Sequence, residues 1–234
     1  MKKYYIFLFV IIILLSACST GKKALQKGNY FSAVSKSVQR LKSDPNNKNA
    51  LTVLKDGYPL AINWSQEEMD QILSINQSFK WGRAVRLMEQ VNKLSEEIRQ
   101  SPAALNIIEE PKTYISELNM AREKAAEERY SAGIELLEMG TRESAREAFE
   151  HFYKTNNFIH GYRNVLEKIN EAKALATVTV ILEAMPVHTQ KYKLTSEFFY
   201  DQVFEYLNNK FPNESFVNFY SPEQAEHAGL EYPD

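Results

Sequence analysis

Between Lys22 and Ala176 the chain consists of helix-forming segments, cut by turn signals at Gly28-Asn29, Asp44-Pro45-Asn46-Asn47, Ser101-Pro102, Gly140-Thr141 and Asn156-Asn157. Helices of this length joined by short links bury their apolar stripes by folding back on one another. The region therefore predicts an all-α antiparallel array. Ala84, Met88, Val91 and Leu94 form one such stripe, and Gln66–Ser78 with Gly82–Arg99 reads as a helix pair. Pro59 is expected to end the helix that begins near Ala50.

Two windows carry a repeat pattern. Gly28-Asn29-Tyr30-Phe31-Ser32-Ala33-Val34, continuing to Leu41 and Asp44-Pro45-Asn46-Asn47, resembles the second half of a tetratricopeptide (TPR) repeat, with Ser37 and Arg40 departing from it. In the second window Tyr130, Gly133, Gly140, Ala145 and Phe149 fall at that repeat's aromatic and small-residue positions, while Arg142, Phe152 and Asn157 depart. Gly133 and Ala145 would let two helices approach closely, Phe149 would fill the space beside them, and Tyr162–Ala176 would close the array. An unrelated helical bundle would produce the middle stripe equally well. The resemblance implies a groove lined by Glu127, Tyr130, Ile134, Leu137 and Glu138, although Ile134 and Leu137 also suit a core between repeats.

After Ala176 the composition changes: 11 of the last 58 residues are aromatic, against 13 in the 159 residues from Cys18 to Ala176. A second domain is expected at 177–234. Thr177–Leu182 reads as a strand covered on both faces, Thr195 or Ser196 as the cap of a helix, Ser215–Tyr220 as a second strand, and Ser221-Pro222-Glu223-Gln224 as a capped helix start. The order is βαβα, with parallel strands and a right-handed crossover. Two strands leave two open edges, so the tail is expected to be an incomplete domain, or one completed by dimerisation. It loosely resembles the opening of small α/β domains in outer-membrane lipoproteins of envelope assembly, the curli-secretion family among them.

The N-terminus begins Lys2-Lys3 and continues with an unbroken apolar run from Tyr4 to Leu15. At about 1.5 Å per residue this run falls short of a hydrocarbon core of about 30 Å, so it reads as an export signal before an anchor. Leu15-Ser16-Ala17-Cys18 resembles the lipobox of bacterial lipoproteins. The resemblance implies removal of residues 1–17 and a diacylglyceryl group on Cys18, tethering the mature chain to a membrane. The alternatives are a plain signal peptide or an uncleaved anchor. Ser19 in place of Asp implies release toward the outer membrane, periplasmic face. The domains expected are thus a signal peptide at 1–17, a helical repeat domain at 18–176 and the α/β tail at 177–234.

Little chemistry is suggested. The net charge of -2 disfavours a polyanion surface, so no nucleic-acid partner is expected. A single cysteine excludes an internal disulfide or a multi-thiolate cluster. His151, His160, His188 and His227 lack metal-site spacing, and no nucleophile elbow, phosphate loop or dinucleotide fingerprint occurs. No metal, no cofactor and no catalytic residues are expected. The reading is a non-enzymatic envelope lipoprotein whose repeats bind another envelope protein or peptide. The alternative is an envelope polysaccharide- or peptidoglycan-binding lipoprotein, hydrolytic or not, using Tyr192, Tyr200 and Tyr220 of the tail to stack on sugars.

Overall fold

The computed structural model describes residues 20–183, 196–211 and 216–230. Residues 1–17, Cys18, Ser19, His188, Tyr192 and the terminal Tyr232-Pro233-Asp234 lie outside the described residues. Those described form ten helices and one two-stranded sheet. They divide into two compact units between Ala125 and Ala126, inside a helix, so the composition change after Ala176 falls within the second unit.

The first unit contains α1 (Lys22–Gln26), α2 (Tyr30–Ser43), α3 (Lys48–Ser74), α4 (Lys80–Arg99), α5 (Pro102–Leu105) and the start of α6 (Ser116–Glu138). Asn29 and Asn47 cap α2 and α3 by accepting from the Ser32 and Ala50 amides, at 3.3 and 3.1 Å. Val34, Val38 and Leu41 of α2, Leu54 and Ala61 of α3, and Val91 and Ile98 of α4 are all fully enclosed. The predicted stripe Ala84, Met88, Val91 and Leu94 is buried as well.

Two expectations fail here. Pro59 does not end a helix: α3 runs 27 residues through it, joining the short helix expected near Ala50 to the one expected from Gln66. Pro59 lies on the exposed face with Lys55 and Asp56, so the Lys55 carbonyl that loses its donor can meet water, while Leu54, Tyr58 and Ala61 hold the other face in the core. The first repeat window also lacks a matching first helix, because α1 has only five residues. Ala33 packs fully inside as expected, whereas Tyr30 is half-buried and Phe31 takes the inward position.

The second unit holds the rest of α6, α7 (Arg142–Phe158), α8 (Val165–Ala176), β1 (Val178–Ile181), α9 (Ser196–Lys210), β2 (Val217–Tyr220) and α10 (Pro222–His227). Tyr130, Leu137, Ala148, Phe152, Val165 and Ala172 form its core. Gly140, at φ +69°, supplies the left-handed residue that turns α6 into α7, and Thr141 with Ser144 forms a capping box. Gly133 and Ala145 do sit at tight contacts, but Phe152 occupies the enclosed position and Phe149 is only half-buried. The Asn156-Asn157 pair does not break α7 either, and Asn156 instead accepts from the Gly161 amide at 2.9 Å.

The tail follows its predicted order. β1 and β2 pair in parallel with Val178 opposite Val217 and Ile181 opposite Tyr220, and Ser221 and Gln224 cap α10 reciprocally. β1 is half-buried along its length, not covered on both faces. Phe216, just before β2, packs edge-on against Phe149 of α7 at 5.3 Å, with the Arg146 guanidinium over its ring.

Candidate functional site

The predicted groove residues lie on α6, and the structure separates them. Tyr130 and Leu137 belong to the core of the second unit, Glu127 and Ile134 are half-buried, and Glu138 is exposed. Tyr130 is held from three sides: its ring meets Phe152 at 5.7 Å and Tyr162 at 5.9 Å, both edge-on, and its hydroxyl donates to Asn164 Oδ1 at 2.5 Å.

Glu127, one turn earlier, is the polar end of the same cluster. Its carboxylate accepts from the Tyr162 hydroxyl at 2.5 Å and from Ser131 Oγ at 3.2 Å, and pairs with the Arg163 guanidinium at 2.6 Å. The Tyr162 hydrogen bond, aided by the Arg163 charge, holds the Glu127 carboxyl below its ordinary range against an opposing push from partial burial. Arg163 adopts φ +50° and lies 5.2 Å from both the Tyr130 and Tyr162 ring centres. A left-handed non-glycine residue costs roughly 1–3 kcal/mol, so the ion pair and the two rings together hold a strained backbone in place. These contacts fix the carboxylate in place between two hydroxyls and a guanidinium. The sequence places Tyr162, Arg163 and Asn164 in the closing helix with no site role, whereas that helix begins only at Val165 and the three residues form the turn before it.

A second arrangement, in the first unit, has no counterpart in the sequence reading. The segment Pro111-Lys112-Thr113-Tyr114, which has no regular secondary structure, lies along α4 and is held by its backbone. Asn92 accepts from the Tyr114 amide and donates to the Tyr114 carbonyl, both at 2.7 Å. Ser95 Oγ donates to the Lys112 carbonyl, Arg99 to the Pro111 carbonyl at 3.2 Å, and the Lys112 amide donates to Tyr58 Oη at 2.6 Å. Asn92, Ser95 and Arg99 stand at i, i+3 and i+7, one stripe of α4. Four side chains thus satisfy the donors and acceptors that a neighbouring strand would otherwise satisfy.

Of the tail tyrosines, Tyr200 and Tyr220 are half-buried, and Tyr200 stacks on Phe204 of its own helix at 5.8 Å. Burial and the nearby Asp201 and Glu223 charges raise the Tyr200 hydroxyl above its ordinary range. His160 and His227 are exposed; His151 is half-buried, and burial first, then the Arg129 and Lys154 charges, lowers its pKa. Among the described residues no group of three or more His, Cys, Asp or Glu side chains is placed to hold a metal ion. No described helix is long and apolar enough to cross a membrane.

Residues 1–19 match the family described as prokaryotic membrane lipoprotein lipid attachment site. The match covers the lipobox and Cys18, and supports a bacterial lipoprotein held in the envelope by lipid on that cysteine. No curated protein and no solved structure matches the chain.

Proposed function

We propose that this lipid-anchored protein is a non-enzymatic, tetratricopeptide-like scaffold that binds a non-helical segment of another envelope protein, at the outer membrane facing the periplasm. The observation that carries the reading is the hold of Tyr58, Asn92, Ser95 and Arg99 on residues 111–114: a helical surface of this chain already holds a non-helical segment of its own through the backbone. On α6, Ile134 and Glu138 keep surface that a partner can meet, whereas Tyr130 and Leu137 support them from the core. The tether at Cys18 confines the search for a partner to the membrane surface and raises its effective concentration there. Ser19 after the lipidated position favours the outer membrane.

Photocrosslinking in living cells tests the proposal. A photoreactive residue at Ile134 or Glu138 is expected to give a discrete adduct with one envelope protein, lost when Cys18→Ser blocks lipidation and leaves the precursor unprocessed. Absence of any adduct from either position, with the protein folded and at the membrane, would overturn it.

A further inference from the structure

One concave surface of the first unit is not used by the segment 111–114. Two adjoining cavities of about 270 and 320 Å³ open between the start of α2, α3 and α4, sharing Asn29, Phe31 and Gln90. Together they reach the lower size range of small-molecule sites. Gln90, Lys93 and Glu97 line them from α4, a stripe beside the one formed by Asn92, Ser95 and Arg99.

The aromatic element is Trp64. It is 41% exposed, yet its ring is fixed edge-on against Phe31 at 5.8 Å, so an indole is immobilised with part of its surface open to the cavity. The polar groups around it are directional. Asn29 Oδ1 is engaged by the Ser32 amide, which leaves its Nδ2 as a donor. Ser35 Oγ donates to Glu97 Oε2 at 2.7 Å, which fixes that carboxylate with its other oxygen available to accept. Gln90 and Lys93 have no partner among the described residues. Gly28, with φ +72°, forms the exposed turn at the edge of the second cavity.

The lining selects among ligands. Glu97 opposes a bound anion, Lys27 and Lys93 oppose a bound cation, and the polar rim disfavours a purely apolar molecule. What fits is a neutral ring with an apolar face for the indole and a rim of hydroxyl and amide groups for Asn29, Gln90 and Glu97. We infer that this cavity binds a pyranose ring of a β-1,4-linked acetamido-sugar chain, the chemistry of the bacterial wall glycan beside which a lipid-anchored envelope protein stands. The Asn29 Nδ2 can donate to the acetamido carbonyl, and the Gln90 carboxamide can accept from the acetamido N–H. The site is distinct from the tail tyrosines and from the peptide-holding stripe.

Calorimetric titration of the chain from residue 18 onward, produced with Cys18→Ser, against N-acetylchitotetraose, with tryptophan emission followed alongside for the wild-type site, tests the inference. Saturable one-site binding is expected, about tenfold or more weaker in Trp64→Ala, weaker to a smaller degree in Gln90→Ala, and unchanged in Trp81→Phe, which isolates the Trp64 signal. Gln90→Ala alters an exposed side chain, so its effect reads binding even if Trp64→Ala loosens the fold. Failure of the wild-type chain to saturate, or equal binding by Trp64→Ala and Gln90→Ala, would overturn the site. Equal affinity for maltotetraose, which has no acetamido group, would overturn the assigned sugar class.

Discussion

Gly133 on α6 lies directly against the ring of Phe152 on α7: a Cβ added there would stand 2.6 Å from the nearest ring carbon and under 3 Å from two others. Phe152 is fully buried and has no room to withdraw, since Tyr130 packs edge-on against it. Gly133→Ala gains up to about 1 kcal/mol in helix propensity, but overpacking an enclosed aromatic costs about 1–3 kcal/mol. Net destabilisation is therefore expected in a urea melt. Phe152→Leu alone is expected to destabilise too, and combining the two should cost less than their sum, because the smaller side chain makes room for the added methyl. A Gly133→Ala variant as stable as wild type would mean that the helices separate freely at this point.

The Glu127 cluster gives a pH signature. Its carboxyl titrates below the ordinary range in the folded chain, chiefly through the Tyr162 hydroxyl. The unfolded chain then binds the proton first as pH falls, so the stabilisation is complete above the ordinary carboxylate range and disappears as pH drops through the depressed value. The pair with Arg163 is partly exposed, which limits its contribution to about 1 kcal/mol or less. Glu127→Gln is expected to lower the melting temperature at neutral pH and to converge with wild type in acid. A gap that stays constant down to pH values well below the carboxylate range would remove the charge from the explanation.

How far the sequence reveals this fold depends on the range of each interaction. The tail strands, their parallel order and the Ser221–Gln224 cap were legible because alternation and capping are local patterns. Gly133 and Ala145 were legible because they fall at the small-residue positions of the repeat pattern, one on each of two adjoining helices. Phe152 was not: the repeat register assigns the aromatic position to Phe149, and only tertiary packing decides which of two aromatics three residues apart turns inward. The hold on residues 111–114 was invisible for a related reason, since its donors and acceptors come from α3 and α4 and meet backbone groups with no sequence signature.

Pro59 shows tertiary packing overriding a local breaker. Gly57 and Tyr58 beside it are buried, and the face carrying the lost hydrogen bond is exposed. Pro59→Ala restores an amide donor to the Lys55 carbonyl while giving the unfolded chain more freedom, a loss of about 0.4–1 kcal/mol against an interior-proline penalty of up to about 3 kcal/mol. A net rise in melting temperature is expected. A fall would show that the proline fixes a bend which the core of the first unit requires.

Attachment makes a separate prediction. Residues 1–19 carry the lipid attachment site, and Cys18 is the only thiol in the chain. Cys18→Ser is expected to accumulate as unprocessed precursor, and mass spectrometry of the wild-type mature N-terminus to show a diacylglyceryl-modified Cys18. A free Cys18, or cleavage elsewhere, would contradict it.

Asn92 offers the sharpest test of the peptide-holding stripe, because one side chain answers both polar groups of one backbone residue. Tyr114 is buried, so its amide and carbonyl have little access to water if Asn92 is removed. Each buried group left without a partner costs about 1–3 kcal/mol, whereas truncating a half-buried Asn elsewhere costs little. Asn92→Ala is therefore expected to destabilise the first unit and to speed hydrogen exchange at the Tyr114 amide far more than at amides within α4. Asn92→Asp separates the two halves of the contact: the carboxylate still accepts from the Tyr114 amide but no longer donates to its carbonyl, so exchange at that amide should stay slow while stability falls. If both variants leave Tyr114 exchange and stability unchanged, segment 111–114 is held by the packing of Tyr114 alone, and the stripe on α4 carries no preference for a non-helical backbone.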